Sequence, residues 1–464
     1  MSVMTRRLSS AALTGAVTLV AGSALAGNLF GSLGTTASGY PTWDSDVINI
    51  EAVSQTGAGV YVAVLDTGLV PHWRDYFPEA RVAAHLGKGF YQPVSFKAKK
   101  DVCGLGVTVG KLQESTWVGS KGSTHGTHVT STILGYSYRS NSDAAGGYPL
   151  PPIMVRGIAP DVTIIPVRVL ADYQVPALPA CEGGIAAQNA VFGTDEMIAA
   201  GINYVTDLAI AGYRPMVINM SLGGSELDPT EQAALDRAIA NGVIVVASAS
   251  NDGELGMDYP GAYAPVISVG SVGWVREWLR PDATSINLAN RYRMWWLQYP
   301  DAPLLPGTAE VPDPTSVDDL YVSDFSSREL PGEELDVLAP GSWVRGPFAG
   351  DPGFNHLPWW SKGIGDLVGG NAGNFYYVGG TSMASPHVAA LAAMMLEKNP
   401  SLLQSDVEKI LKETALAMPS SGSRAILDNT VPATVTWDTD CGGTACDPVG
   451  SGVVRADAAL GATP

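Results

Sequence analysis

The stretch GVYVAVLDTGLV, from Gly59 to Val70, decides the fold. From Val60 to Leu65 it carries no charged or amide side chain, the pattern of a parallel strand covered on both faces rather than one. Such a strand belongs in an α/β protein whose mostly parallel central sheet has helices on both sides, a three-layer α/β/α arrangement. In open sheets of this kind functional groups gather where strands end, and this strand ends in Asp66 followed by a Thr-Gly turn. Asp66 on its own also fits a plain turn aspartate.

Two further stretches give Asp66 company. The run GGTSMASPHVAALAAMM, Gly379 to Met395, puts Ser382 at the mouth of a strongly apolar helix. Gly379 and Gly380 permit a tight turn, Thr381 or Ser382 can cap the helix, and the N–H groups of a helix start favour negative charge nearby. A serine hydroxyl is a poor nucleophile at neutral pH, so chemistry at Ser382 needs a base and donors for a developing oxyanion. In STHGTHVTSTILG, Ser123 to Gly135, Ser123 or Thr124 can cap a helix that carries His125 in its first turn. His125 and His128 are three apart and enclose no glutamate, unlike the zincin spacing. His128 and His387 therefore read as packed helix residues rather than ligands.

VAVLDTG, HGTHV and GTSMASPHVA, in the chain order Asp, His, Ser, resemble the subtilisin-type serine proteases, the subtilase family. The resemblance extends through GIAPDVTIIPVRVL (157–170), VINMSLGG (217–224), VIVVASASNDG (243–253), YPGAYAPVISVGSV (259–272), DFSSRE (324–329), ELDVLAPG (334–341) and GSGVVRADAAL (450–460). It thus runs from about Trp43 to Leu460, interrupted by insertions. It implies a serine endopeptidase acting through an acyl-enzyme, with Ser382 as nucleophile, His125 as base and then acid, and Asp66 orienting the imidazole. It also implies Asn251 as oxyanion donor, with Ser221, Leu222, Gly223, Ser248, Ala249 and Ser250 binding the substrate. An extended peptide would add as a strand beside Ser221 to Gly223. Ser250 stands where the family usually has glycine, so the wall of the primary specificity pocket is narrowed or polarised. Macrocyclisation or transpeptidation, with an amine replacing water at the acyl-enzyme, is the competing enzyme reading; a catalytically silent binding scaffold is the third.

The rest of the chain sets the context. Its 464 residues with 46% apolar content, 53 glycines and 32 prolines suit one large α/β domain with long loops, spanning 27–464. Arg6 and Arg7 precede an uncharged apolar stretch from Leu8 to Leu25, and Ala24-Leu25-Ala26 offers a cleavage site before Gly27. Residues 1–26 therefore read as a signal peptide, which implies a secreted or periplasmic protein without a stable membrane anchor. Their removal takes away two arginines and no acid, moving the formal charge from −18 to −20 and arguing against a nucleic-acid partner. Polypeptide substrates and a monomer are expected. Export makes disulfides readable: Cys441 with Cys446 around a Gly-Gly turn, leaving Cys103 with Cys181, is the simplest of three pairings.

Four insertions interrupt the resemblance, at about 88–122, 171–193, 273–322 and 342–377. The third holds Trp274, Trp278, Tyr292, Trp295, Trp296 and Tyr299, and reads as a packed subdomain or a substrate-side wall. The short span before Trp43 leaves no room for the family's usual chaperoning propeptide, so either unaided refolding or a partner that supplies that function is expected. No catalytic cofactor is implied. Structural calcium (Ca2+) is implied by the resemblance, with no ligand residue assigned: Asp44 with Asp46, and Asp318 with Asp319, read as solvated loop acids.

Overall fold

Tyr61–Asp66 forms strand β1 in the middle of the main sheet. The computed structural model describes residues 42–100, 102–119, 123–138, 153–178, 181, 184, 186–275, 316–348, 375–428 and 431–464. Among these, the other strands of the sheet are β2 Lys88–Tyr91, β3 Gln113–Ser115, β4 Thr163–Arg168, β5 Met216–Met220, β6 Ile244–Ser248, β7 Ile267–Trp274, β8 Leu320–Val322 and β9 Val337–Pro340. Their order across the sheet is β8, β7, β6, β5, β1, β4, β2, β3, and β9 also pairs with β7. The pairings among β2, β4, β1, β5, β6, β7 and β9 are parallel, while β3 and β8 join antiparallel. The carboxyl ends of β1, β5 and β6 therefore open on the same edge.

Side chains alternate across a strand, and the two faces of β1 enter different cores. Val62 and Val64 pack with Val129 and Ile133 of helix α1 (Thr124–Leu134) and with Val388 and Leu391 of a later helix, Thr381–Lys398. Ala63 and Leu65 pack with Met197 and Ile202 of helix α2 (Asp195–Ile210) and with Leu235 of helix α3 (Pro229–Ala240). Every residue of β5 and β6 is buried, as strands covered on both faces are. Thr381–Lys398 is helix α4, and its residues from Met383 to Leu396 are all buried. A helix apolar all round belongs in a protein interior, where each large side chain contributes roughly 1.5–3 kcal/mol. Helices α5 (Gln404–Thr414) and α6 (Ala456–Ala462) complete the fold.

The segment 88–122 is more than loop. Its start is β2, its end contains β3, and between them Val94–Ala98 pairs with Leu105–Val109 as a hairpin. A second hairpin, Ala171–Val175 with Gln188–Phe192, fills most of 171–193. Cys103–Cys181 ties the two hairpins, and Cys441–Cys446 closes a local turn. Phe192 stacks on Tyr173 at 4.2 Å and meets Phe96 edge-on at 6.0 Å, so the hairpins also share an aromatic contact. Of the aromatic segment 273–322, Trp274 is buried in β7 where β8 pairs with it. Trp278, Tyr292, Trp295, Trp296 and Tyr299 lie outside the described residues, as do 1–26 and most of 342–377.

Candidate active site

Asp66 closes β1 and is fully buried, a position that requires its charge to be compensated. The Thr67 N–H donates to its Oδ1, and His125 Nδ1 lies 2.9 Å from both carboxylate oxygens. The approach of α1 that makes this pair depends on Gly126. An added Cβ there would stand 2.5 Å from the Gly68 carbonyl oxygen and 3.1 Å from Asp66 Oδ1. Gly126 N–H donates to Thr67 Oγ1, and Val70 N–H to Thr127 Oγ1, which fasten the helix start to the strand end. Ser123 does occupy the cap position of α1. Its hydroxyl makes no cap bond, however, and donates to the Thr67 carbonyl at 2.7 Å instead. Burial lowers the His125 pKa, but the Asp66 charge and hydrogen bond outweigh it and leave the pKa above its ordinary value.

Helix α4 begins at Thr381, with Gly380 at the cap position. Thr381 and Ser382 thus lie in the first turn instead of capping it, because the extended backbone of Gly380 already makes the entry. Pro386 sits inside the helix and has no N–H, so the Ser382 carbonyl loses its usual intrahelical donor. The Ser221 hydroxyl supplies one at 2.8 Å, and the Ser382 hydroxyl donates back to the Ser221 carbonyl at 3.4 Å. Asn219 Nδ2 donates to Ser221 Oγ, and Ser385 Oγ to Asn219 Oδ1, which extends the polar chain from β5 into α4. Ser382 and His125 share no hydrogen bond here.

Asn251 follows β6 by way of Ala249 and Ser250. Its Oδ1 accepts from the Thr381 N–H at 2.8 Å and the Thr381 hydroxyl at 3.1 Å. Both donors claim the amide oxygen, which leaves the Nδ2 hydrogens available to a further acceptor. Ser250 has φ +87°, a conformation that glycine adopts freely and serine holds at a cost of about 1–3 kcal/mol. Ser221, Leu222 and Gly223 line a cavity of about 460 Å³ together with His125, Leu170, Phe192 and Phe348. Ser248 and Ala249 are buried behind them.

A family model described as the subtilase family matches residues 57–442. The chain belongs to the subtilase family. It is 27% identical to fervidolysin of Fervidobacterium pennivorans over 343 residues, which are 74% of this chain and 35% of that one. With subtilisin DY of Bacillus licheniformis it shares 26% identity over 387 residues, 82% of this chain and 92% of the other. The solved S41 psychrophilic protease, 23% identical, superposes with a TM-score of 0.50 over 90% of this chain and 99% of its own, a likeness of fold. This subtilase is accordingly a serine-type endopeptidase by family.

The subtilase places His128 and His387 in packing roles. His128 is buried with Nε2 3.1 Å from the Val344 carbonyl. His387 is buried with Nδ1 on the Met383 carbonyl and Nε2 3.1 Å from Asp44 Oδ2, so Asp44 is a structural partner and not a solvated loop acid. Among the described residues, Glu334, Asp336 and Glu408 form the one group of three carboxylates close enough for a cation. Lys412 Nζ already sits among them, 2.6 Å from Glu334 and 2.9 Å from Asp336. Burial opposes the Lys412 charge, yet the Glu334 and Asp336 carboxylates hold its pKa above the usual value. An ammonium thus fills the place of a metal, and these residues do not fit calcium. Sequence reasoning missed Leu170, Phe192 and Phe348 at the cavity, because hairpins distant in sequence bring them there.

Proposed function

We propose that this subtilase is an exported endopeptidase that cleaves polypeptides through an acyl-enzyme on Ser382. His125 takes the Ser382 proton as the hydroxyl attacks the scissile carbonyl and returns it to the leaving amine. Asp66 fixes the imidazole with Nδ1–H toward itself, so Nε2 faces the reaction, and it stabilises the imidazolium. The oxyanion takes hydrogen bonds from Asn251 Nδ2 and the Ser382 N–H, one of the first-turn donors that a helix cannot satisfy internally. Exposed Gly223, whose backbone groups bond to none of the described residues, is open to pairing with an extended peptide.

The observation that carries the reading is the buried Asp66 carboxylate on His125 Nδ1, at the same sheet edge as Ser221 and its bonded partner Ser382. Export rests on the leader-like residues 1–26. Among the described residues no helix is long and apolar enough to cross a membrane. The test is labelling by a serine-directed fluorophosphonate at pH 8. We expect one adduct, on Ser382, absent from Ser382→Ala; an unlabelled wild-type protein that is demonstrably folded refutes the reading.

A further inference from the structure

Resting on the endopeptidase reading, we propose that Asp258 selects a basic residue, lysine or arginine, on the acyl side of the bond that is cut. The Asp258 N–H donates to the Ala249 carbonyl at 3.3 Å, and the next residue, Tyr259, exchanges both backbone bonds with Gly224 at 2.8 Å. Asp258 is thereby fastened between the two segments that would hold the peptide, 221–223 and 248–250. A Cβ added to Gly223 would stand 2.8 Å from Asp258 Cβ and 3.2 Å from its Oδ2. The carboxylate therefore lies against the one position of segment 221–223 that has no side chain.

Ser250 adds the second observation. Its hydroxyl is 2.7 Å from Asp258 Oδ2 and 2.8 Å from Asp252 Oδ2, so one hydroxyl proton faces two carboxylate oxygens. Two other part-buried carboxylates carry a cation: Asp161 has Arg81, and Asp336 has Lys412. Among the described residues neither Asp252 nor Asp258 has one. Asn251 directly follows Ser250 and is bonded to Thr381, the neighbour of Ser382. A carbonyl held between Asn251 and Ser382 consequently places its own side chain beside Gly223, Ser250 and Asp258. An apolar side chain there would strip water from a carboxylate and return no donor. An ammonium or guanidinium supplies the missing donors with charge.

The experiment compares peptides that differ only in arginine or citrulline on the acyl side, a pair nearly equal in shape and different in charge. We expect kcat/KM to favour arginine by about 10- to 100-fold, the range for a hydrogen bond to a charged group, and the ratio to fall close to one in Asp258→Asn. Fluorophosphonate labelling of the variant reports whether it has folded. A wild-type ratio near one, with both peptides cleaved, overturns the inference and leaves the endopeptidase reading standing. Failure to cleave any peptide, whatever its sequence, overturns both. A wild-type ratio that disappears when calcium is added, together with calcium binding that Asp258→Asn abolishes, assigns the oxygens to a free divalent cation and overturns the inference as well.

Discussion

Replacing Glu231 by glutamine makes the protein more stable in alkali and leaves it unchanged in acid. Glu231 is the third residue of α3, where the helix dipole favours an anion by roughly 0.3–1 kcal/mol at exposed sites. Here the residue is only 4% exposed, and its Oε1 has no hydrogen-bond partner among the described residues. Burial first, then the charges of Asp195 and Asp228, push its pKa from 4.5 up to about 7. Desolvation thus overrides the dipole. The folded protein holds this proton more tightly than the unfolded chain does, so the stability it brings is complete below pH 4.5 and is lost as pH rises through 7. At about 1.4 kcal/mol per pKa unit the loss at pH 8.5 is roughly 3 kcal/mol. Glutamine is nearly isosteric, carries no charge, and offers an amide donor toward the neighbouring carboxylates. Urea denaturation at pH 4.5 and pH 8.5, in a Ser382→Ala background that prevents self-digestion, should show equal midpoints in acid and a higher variant midpoint in alkali. A midpoint difference that does not change with pH would refute the burial argument.

Two other outcomes follow from the site. The acid limb of kcat/KM should lie above pH 6.5, the ordinary histidine value, because Asp66 raises His125; Asp66→Asn should move that limb down and cost on the order of 10³–10⁴ in kcat, measured by pH–rate profiles. Gly126→Ala should lower kcat by about 100-fold or more while circular dichroism stays native, since a Cβ 2.5 Å from the Gly68 carbonyl forces α1 away from β1.

The elements that organise the site were legible in sequence for definite reasons. An unbroken apolar run ending in Asp66 specifies a doubly covered strand, and the Gly-Thr-Ser entry to an apolar helix specifies a buried helix start. Pairings over long distances left a weaker trace. Nothing local to Ser123 says that its hydroxyl serves Thr67 instead of its own helix, and nothing local to Asp44 says that His387 waits 343 residues away. Ser250 was visible as a glycine position filled by serine. The Asp258 carboxylate beside it was not, because its approach depends on the pairing of Tyr259 with Gly224, far back in the chain.

Pro386 has a consequence for how substrate grip and attack are linked. By withholding an N–H, it hands the Ser382 carbonyl to the Ser221 hydroxyl, on the segment an extended peptide would line. In the proposed mechanism, the attacking residue is thereby tethered to the segment that receives the peptide as well as to its own helix. If Ser382 attacks and Ser221 lines the peptide as proposed, a substitution at Ser221 removes a bond to the attacking residue as well as a contact to substrate, so the two traits change together.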